Sequence, residues 1–134
     1  MLGVVLLAAI PTEKAYSQEA GSVEALSRVQ SALQAGSVNG LMETATSRVE
    51  ISLFGSGAQY SRAQAAFVLQ DFFRQFPPER VDFAERSMAE TSRTAMGSYW
   101  VAGQPDPLGV YVRLRFVGGS WRLAAVRMER VGSD

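Results

Sequence analysis

The chain has 134 residues, with 13 basic and 13 acidic side chains, 47% hydrophobic residues, and neither cysteine nor histidine. That length accommodates one domain with a substantial core but not two, and the apolar content excludes a disordered chain. Zero formal net charge argues against a dedicated nucleic-acid binder, and the missing residue types exclude disulfides, thiolate metal sites and an imidazole base.

The N-terminal stretch from Leu2 to Ile10 is apolar almost throughout, and Ala15-Tyr16-Ser17 has the small-x-small form that precedes a signal-peptidase cut. The expectation is a leader over residues 1–20, cleaved between Ser17 and Gly21, and an exported domain over residues 21–132. The apolar run falls short of the roughly 20 residues a bilayer span requires, so no stable membrane span is expected. Ser22 can then cap a helix carrying Val23, Leu26, Val29 and Leu33, with Gly36 as its stop. Glu24 and Arg28 are spaced to pair on its outer side. Ser37 starts a shorter helix, with Val38, Leu41, Met42 and Ala45 on one side. Arg48 to Phe54 alternates Val49, Ile51 and Leu53 with polar residues, the pattern of a half-buried strand. Gly55-Ser56-Gly57 reads as the turn into the next helix.

That next helix is written out in full. Ser61 is an N-cap with Gln64 three residues on, the spacing of a capping box. Ala65, Val68, Leu69, Phe72, Phe73 and Phe76 form one wide apolar face, and Pro77-Pro78 stops the helix. Three phenylalanines on one helix call for a sheet to pack against. Four strands follow, beginning with Val81 to about Ala89, whose charged Glu85-Arg86 centre suggests an edge. Thr94–Gln104, Val110–Val117 and Ser120–Val131 complete the set. Gly118-Gly119 joins the last two as a two-residue hairpin. That turn sets Phe116 opposite Trp121, Leu114 opposite Leu123 and Val112 opposite Ala125, all facing the core. Arg115 then faces Arg122, Arg113 faces Ala124 and Tyr111 faces Val126 on the other side, unless a bulge beyond Ala125 changes the pairing near Met128.

The order of helix, short helix, strand, long helix and four antiparallel strands is similar to the cystatin-like, nuclear-transport-factor-two-like α+β fold. In that superfamily a curved antiparallel sheet wraps the long helix into a cone. At the level of residues, Tyr60-Ser61-Arg62-Ala63-Gln64-Ala65, Val68-Leu69-Gln70-Asp71-Phe72-Phe73, Pro77-Pro78, the Tyr99-x-x-x-Gly103 spacing and the closing Leu123 to Glu129 strand resemble domain of unknown function family 4783. The resemblance spans roughly Val23 to Val131. It implies a small exported bacterial domain and supplies no activity.

Three constellations are candidates for function. Trp100, Tyr111, Arg113, Arg115 and Arg122 share the face turned away from the helices, where like charges directly opposite repel. Glu85 or Glu90 on a neighbouring strand can offset them as an ion-pair ladder. Otherwise the face recruits an acidic partner, or pairs in a homodimer, the use that the superfamily resemblance implies for its outer sheet face. Second, Phe54, Phe72, Phe76, Tyr99 and Trp121 either line a pocket for a small apolar ligand or simply fill the cone. Third, the fold resemblance raises chemistry of the ketosteroid-isomerase kind, which needs a buried aspartate base and an oxyanion donor. Tyr99 can donate, but Asp71 falls on a polar helix side, Asp82 alternates toward water and Asp106 lies in a loop. No motif for a metal or cofactor is present, and none is expected. The expected function is a non-catalytic ligand-binding or interaction module of the cell envelope, with the isomerase-like enzyme as the alternative. A carboxylate inside the cone would separate the two.

Overall fold

Helix α1 (Thr12–Ala35) begins ten residues before Ser22, in a computed structural model that describes residues 12–132 and side chains from Gln18 onward. Residues 1–11 of the expected leader lie outside the described residues, and α1 runs through the expected cleavage region. Ser22 is not an N-cap. It is fully buried in mid-helix, and its hydroxyl donates to the Glu19 carbonyl at 2.8 Å. The buried stripe is correspondingly Ser22, Ala25, Leu26, Val29, Ala32 and Leu33, while Val23 faces solvent. Glu24 and Arg28 approach to 4.0 Å on the exposed side, as their spacing predicts. Gly36, at φ 64°, stops the helix.

Ser37 caps α2 (Val38–Glu43) by accepting the Gly40 amide at 3.0 Å. The chain then enters β1 (Ala45–Leu53), and the next turn departs from expectation. Leu53 pairs with Ser56, so Phe54-Gly55 is a two-residue hairpin turn into β2 (Ser56–Ser61), not a link into the helix. Both turn residues take positive φ, 54° and 88°, as a type I′ turn demands. For Phe54 that conformation costs about 1–2 kcal/mol, and its ring packing offsets the strain.

Helix α3 (Arg62–Gln75) carries the expected capping box in both directions. Ser61 Oγ accepts the Gln64 amide at 3.2 Å, and Gln64 Oε1 accepts the Ser61 amide at 3.1 Å. Strands β3 (Pro78–Met88), β4 (Ser92–Val101), β5 (Leu108–Val117) and β6 (Ser120–Arg130) follow as a meander.

The six strands form one sheet in the order β2-β1-β6-β5-β4-β3. Every neighbouring pair is antiparallel except β1 and β6, so the sheet is mixed rather than wholly antiparallel. The chain completes β2, α3 and three further strands before β6 returns beside β1. No local pattern announces so distant a pairing. Helix α1 packs on β3 and β6, and α3 packs on β1 and β2. Their shared core includes Leu33, Leu69, Val81, Tyr99, Leu114, Leu123 and Met128. On the edge strand β3, Gln30 donates to the Val81 carbonyl at 2.7 Å and Gln34 accepts its amide at 3.0 Å. Two glutamines one helical turn apart thus satisfy backbone groups that the strand edge leaves unpaired.

The hairpin register holds from Val117–Ser120 through Leu114–Leu123, including Phe116 opposite Trp121 and Arg115 opposite Arg122. A bulge then falls at Ala124, earlier than expected, so Arg113 pairs with Ala125, Val112 with Val126 and Tyr111 with Arg127. The reason lies in side-chain phase. Trp121 and Leu123 face inward at odd positions, while Val126 and Met128 must face inward at even ones. One extra residue switches the phase and keeps Arg127 in water. No helix among the described residues is long and apolar enough to cross a membrane.

Candidate functional sites on the two faces of the sheet

Inside the cone, four of the five expected aromatics come together. Phe72 lies 5.0 Å from Phe76, 5.5 Å from Tyr99 and 6.3 Å from Phe54, and Phe54 lies 5.3 Å from Phe76 (centroid distances). The left-handed backbone at Phe54 turns its ring back onto α3. The Arg130 guanidinium sits 4.9 Å from the Phe54 centroid and 5.9 Å from that of Phe76, capping the cluster from outside. These rings occupy one another's space.

Trp121 lies elsewhere. It is nine residues from Arg130 along β6, about 30 Å at 3.3 Å per residue. Its ring contacts Phe116 at 5.4 Å, and its indole N–H donates to the Gln18 carbonyl of α1 at 2.8 Å. Trp121 and Phe116 line a separate groove of about 380 Å³ between α1 and the β5–β6 hairpin.

Tyr99 is fully buried, and its hydroxyl donates at 2.5 Å to the carbonyl of Phe76, the C-cap of α3. It satisfies a helix-end acceptor that would otherwise be orphaned, so it is not an idle donor awaiting a substrate. Ser22 is the one buried polar or charged residue among the described residues, so no buried carboxylate accompanies Tyr99. Asp71 is exposed and bonded to Arg74 and Gln75, Asp82 is exposed and paired with Arg80 at 2.8 Å, and Asp106 is exposed.

Burial raises the pKa of the Tyr99 hydroxyl above the usual tyrosine value of 10.0. With the folded value raised, the unfolded chain releases this proton first as pH climbs. Tyr99 therefore contributes its full stability below about pH 10 and loses it above. The melting temperature should fall more steeply above pH 10 in wild type than in Tyr99→Phe. Parallel curves would show that Tyr99 ionises freely.

On the outer face, both expected interface aromatics are covered by their own chain. The Arg80 guanidinium lies 4.8 Å from the Trp100 ring, and that of Arg127 lies 4.4 Å from the Tyr111 ring. Arg80 also pairs with Asp82 at 2.8 Å, and Arg127 with Glu129 at 3.8 Å. Arg113 does not pair with Glu85 or Glu90. Its partner is Glu50 of β1, at 4.0 Å. Glu50, Ala125 and Arg113 form one row across three strands, and the short Ala125 side chain leaves the charges room to meet over it. Glu85 belongs to the next row, opposite Met96.

Arg115 and Arg122 lie directly opposite each other, as expected. The parallel β1–β6 pairing then adds two arginines that sequence reasoning missed. Arg48 comes from β1 and Arg62 from the first position of α3. Together Arg48, Arg62, Arg113, Arg115 and Arg122 surround a concavity of about 480 Å³, with Gln59 and Thr46 on its wall and Ala124 at its floor. Arg62 Nε donates to the Thr46 carbonyl at 3.3 Å, which ties the start of α3 to β1. Alternation with Val49 and Ile51 already pointed Arg48 outward, but not toward any particular neighbour.

A long first helix, a short second one and a helix with a capping box, packed on a six-stranded mixed sheet, define an α+β domain of the cystatin-like, nuclear-transport-factor-two-like class. Within that class, the family model described as Domain of unknown function (DUF4783) matches residues 26–129, and the chain belongs to that family. A DUF4783 family protein from Bacteroides ovatus ATCC 8483 is similar in structure, at a TM-score of 0.73 and 16% identity over 79% of this chain and 94% of that one. A protein of unknown function with a cystatin-like fold from Nostoc punctiforme PCC 73102 superposes at 0.63, with 14% identity over 83% and 89%. An NTF2-like protein of unknown function from Shewanella baltica OS155 superposes at 0.62, with 15% identity over 92% and 99%. At such identities these likenesses show the fold alone. A comparison with curated proteins finds no match.

Proposed function

We propose that this domain works by binding rather than by catalysis, and that its working surface is the outer face of the sheet. The observation that carries this reading is the convergence of five arginines from β1, α3, β5 and β6 on one concavity. Among the described residues only Glu50 pairs with any of them. Elsewhere on the same face Arg80 and Arg127 each have a carboxylate of their own. Repulsion between neighbouring arginines costs several tenths of a kcal/mol per directly opposed pair, and an acidic partner would relieve it. Inside the cone, Tyr99 is committed to the Phe76 carbonyl, which leaves the isomerase-like alternative without a free donor or a buried base.

A homodimer through this face would bring two arginine clusters together, so self-association there requires acidic groups between the copies. Sedimentation over a concentration series, with and without salt, reads that directly.

The test of the binding surface uses a sulfonate cation exchanger at pH 7. A protein of zero formal net charge should be retained there through its local arginine cluster and elute as salt rises, because screening acts over about 8 Å at physiological ionic strength. The double change Arg113→Glu with Arg115→Glu should pass unretained while still melting as a cooperatively folded domain, with only a small shift from the lost Arg113–Glu50 pair. Equal behaviour of the two proteins would reduce the arginines to a solvated face.

Export is part of the same proposal. It rests on the apolar Leu2–Ile10 run and on Ala15-Tyr16-Ser17. Mass spectrometry of the protein from its native host should find a mature N-terminus between Ser17 and Gly21. An intact Met1 would end that part of the proposal. A cut after Ser17 would leave Gln18, the acceptor of the Trp121 indole, in place.

A further inference from the structure

Resting on the reading of the outer face as an acid-binding surface, we propose that the five-arginine concavity is a site for a compact, non-aromatic polyanion carrying two or more phosphate groups. The charge count requires more than one negative group. Five arginines line one hollow, and among the described residues the one carboxylate paired with any of them is Glu50, 4.0 Å from Arg113. A singly charged ligand would leave most of the repulsion in place.

The donor geometry narrows the chemistry further. Each guanidinium is a rigid planar fork suited to two oxygens of one phosphate, and forks reaching in from different strands suit oxyanions that present oxygens in several directions. Arg115 and Arg122, paired across the β5–β6 hairpin, supply two forks side by side. Arg62 is held from behind by the bond from its Nε to the Thr46 carbonyl, which leaves its two terminal nitrogens for a ligand.

Size and wall chemistry set the rest. About 480 Å³ falls within the range of small-molecule sites. The remaining wall residues are Thr46, Ser47, Gln59, Val117 and Ala124, and the lining holds no aromatic ring on which a base could stack. Phosphorylated sugars and short inorganic polyphosphates fit these conditions, whereas nucleotides and single-stranded nucleic acid do not.

The experiment is titration calorimetry of the full chain with inorganic tripolyphosphate, at low and at physiological salt. One site per chain is expected, with affinity falling as salt rises. Arg115→Gln with Arg122→Gln should weaken binding about a hundredfold, since each of the two charged hydrogen-bonding partners lost is worth about tenfold. Arg80→Gln with Arg127→Gln removes the same charge from the same face outside the concavity and should leave the affinity near that of wild type. Melting curves of both variants control for folding. Equal losses in the two double variants would overturn the site in favour of diffuse charge. Retention on the cation exchanger without tripolyphosphate binding would overturn the site and leave the broader reading standing, whereas loss of both would sink the two together. Binding to phosphatidylglycerol vesicles, with none to tripolyphosphate, would assign the arginines to a membrane surface and overturn the compact site.

Discussion

Phe72→Ala should destabilise the domain by about 3–5 kcal/mol, the range for truncating a buried phenylalanine and leaving a cavity. Phe72 is 2% exposed and stands at the centre of the aromatic cluster, in ring contact with Phe54, Phe73, Phe76 and Tyr99. Its removal would also take from the left-handed Phe54 part of the packing that offsets its backbone strain, leaving Phe76 and Arg130 against the ring. A loss of that size is a large part of the roughly 5–15 kcal/mol that holds a domain folded. Phe67 on the same helix is the matched control. It is 75% exposed, so Phe67→Ala should shift stability by no more than about 0.5 kcal/mol. Denaturant midpoints compare the two directly, and similar shifts would mean that the buried face of α3 is misassigned.

The second large effect is expected at a glycine with ordinary strand conformation. A Cβ on Gly97 would collide with the Asp82 carbonyl oxygen and lie 2.7 Å from the Phe83 Cα. Strand β3 bulges between Phe83 and Glu85 at this point, and both colliding partners are backbone. Relief would require the two strands to separate, so Gly97→Ala should cost about 3 kcal/mol or more, the upper end for overpacking. Gly109→Ala is the control. Its Cβ would meet the tip of the exposed Val131 side chain at 3.0 Å, which can rotate away, and the Glu129 carbonyl oxygen at 3.7 Å, an ordinary contact. Wild-type stability in Gly97→Ala would show that β3 and β4 do not approach so closely.

The elements that could be read in advance share a physical feature: their determinants lie within a few residues of one another. The Ser61–Gln64 box and the proline stop define α3 through backbone groups at its own ends. Gly118 and Gly119, at φ 61° and 85°, set the β5–β6 register because only such a turn matches the strand twist. That register placed Arg115 against Arg122 correctly. Strand β2 was illegible for the converse reason. Ser56 to Gln59 are all exposed, so the strand carries no alternation, and its turn uses a phenylalanine where glycine or asparagine usually signals positive φ. Ser22 misled because a serine before an apolar run looks like a cap whether or not the helix has already begun.

What the sequence alone determined, then, was the α+β order, the apolar face of α3, the last hairpin and the outward direction of the arginines. What the tertiary structure decided was which of those pieces meet. The parallel docking of β6 on β1 brings residues of the middle of the chain beside residues near its end. It assigns Glu50 to Arg113 and adds Arg48 and Arg62 to the concavity. The length of β6 separates Trp121 from the phenylalanines that its composition suggested it would join. Local chemistry encodes direction and turn, because backbone hydrogen bonding and side-chain alternation act over a few residues. Non-local pairing is settled by burying the whole core at once, and the candidate site lies where two such distant strands come together.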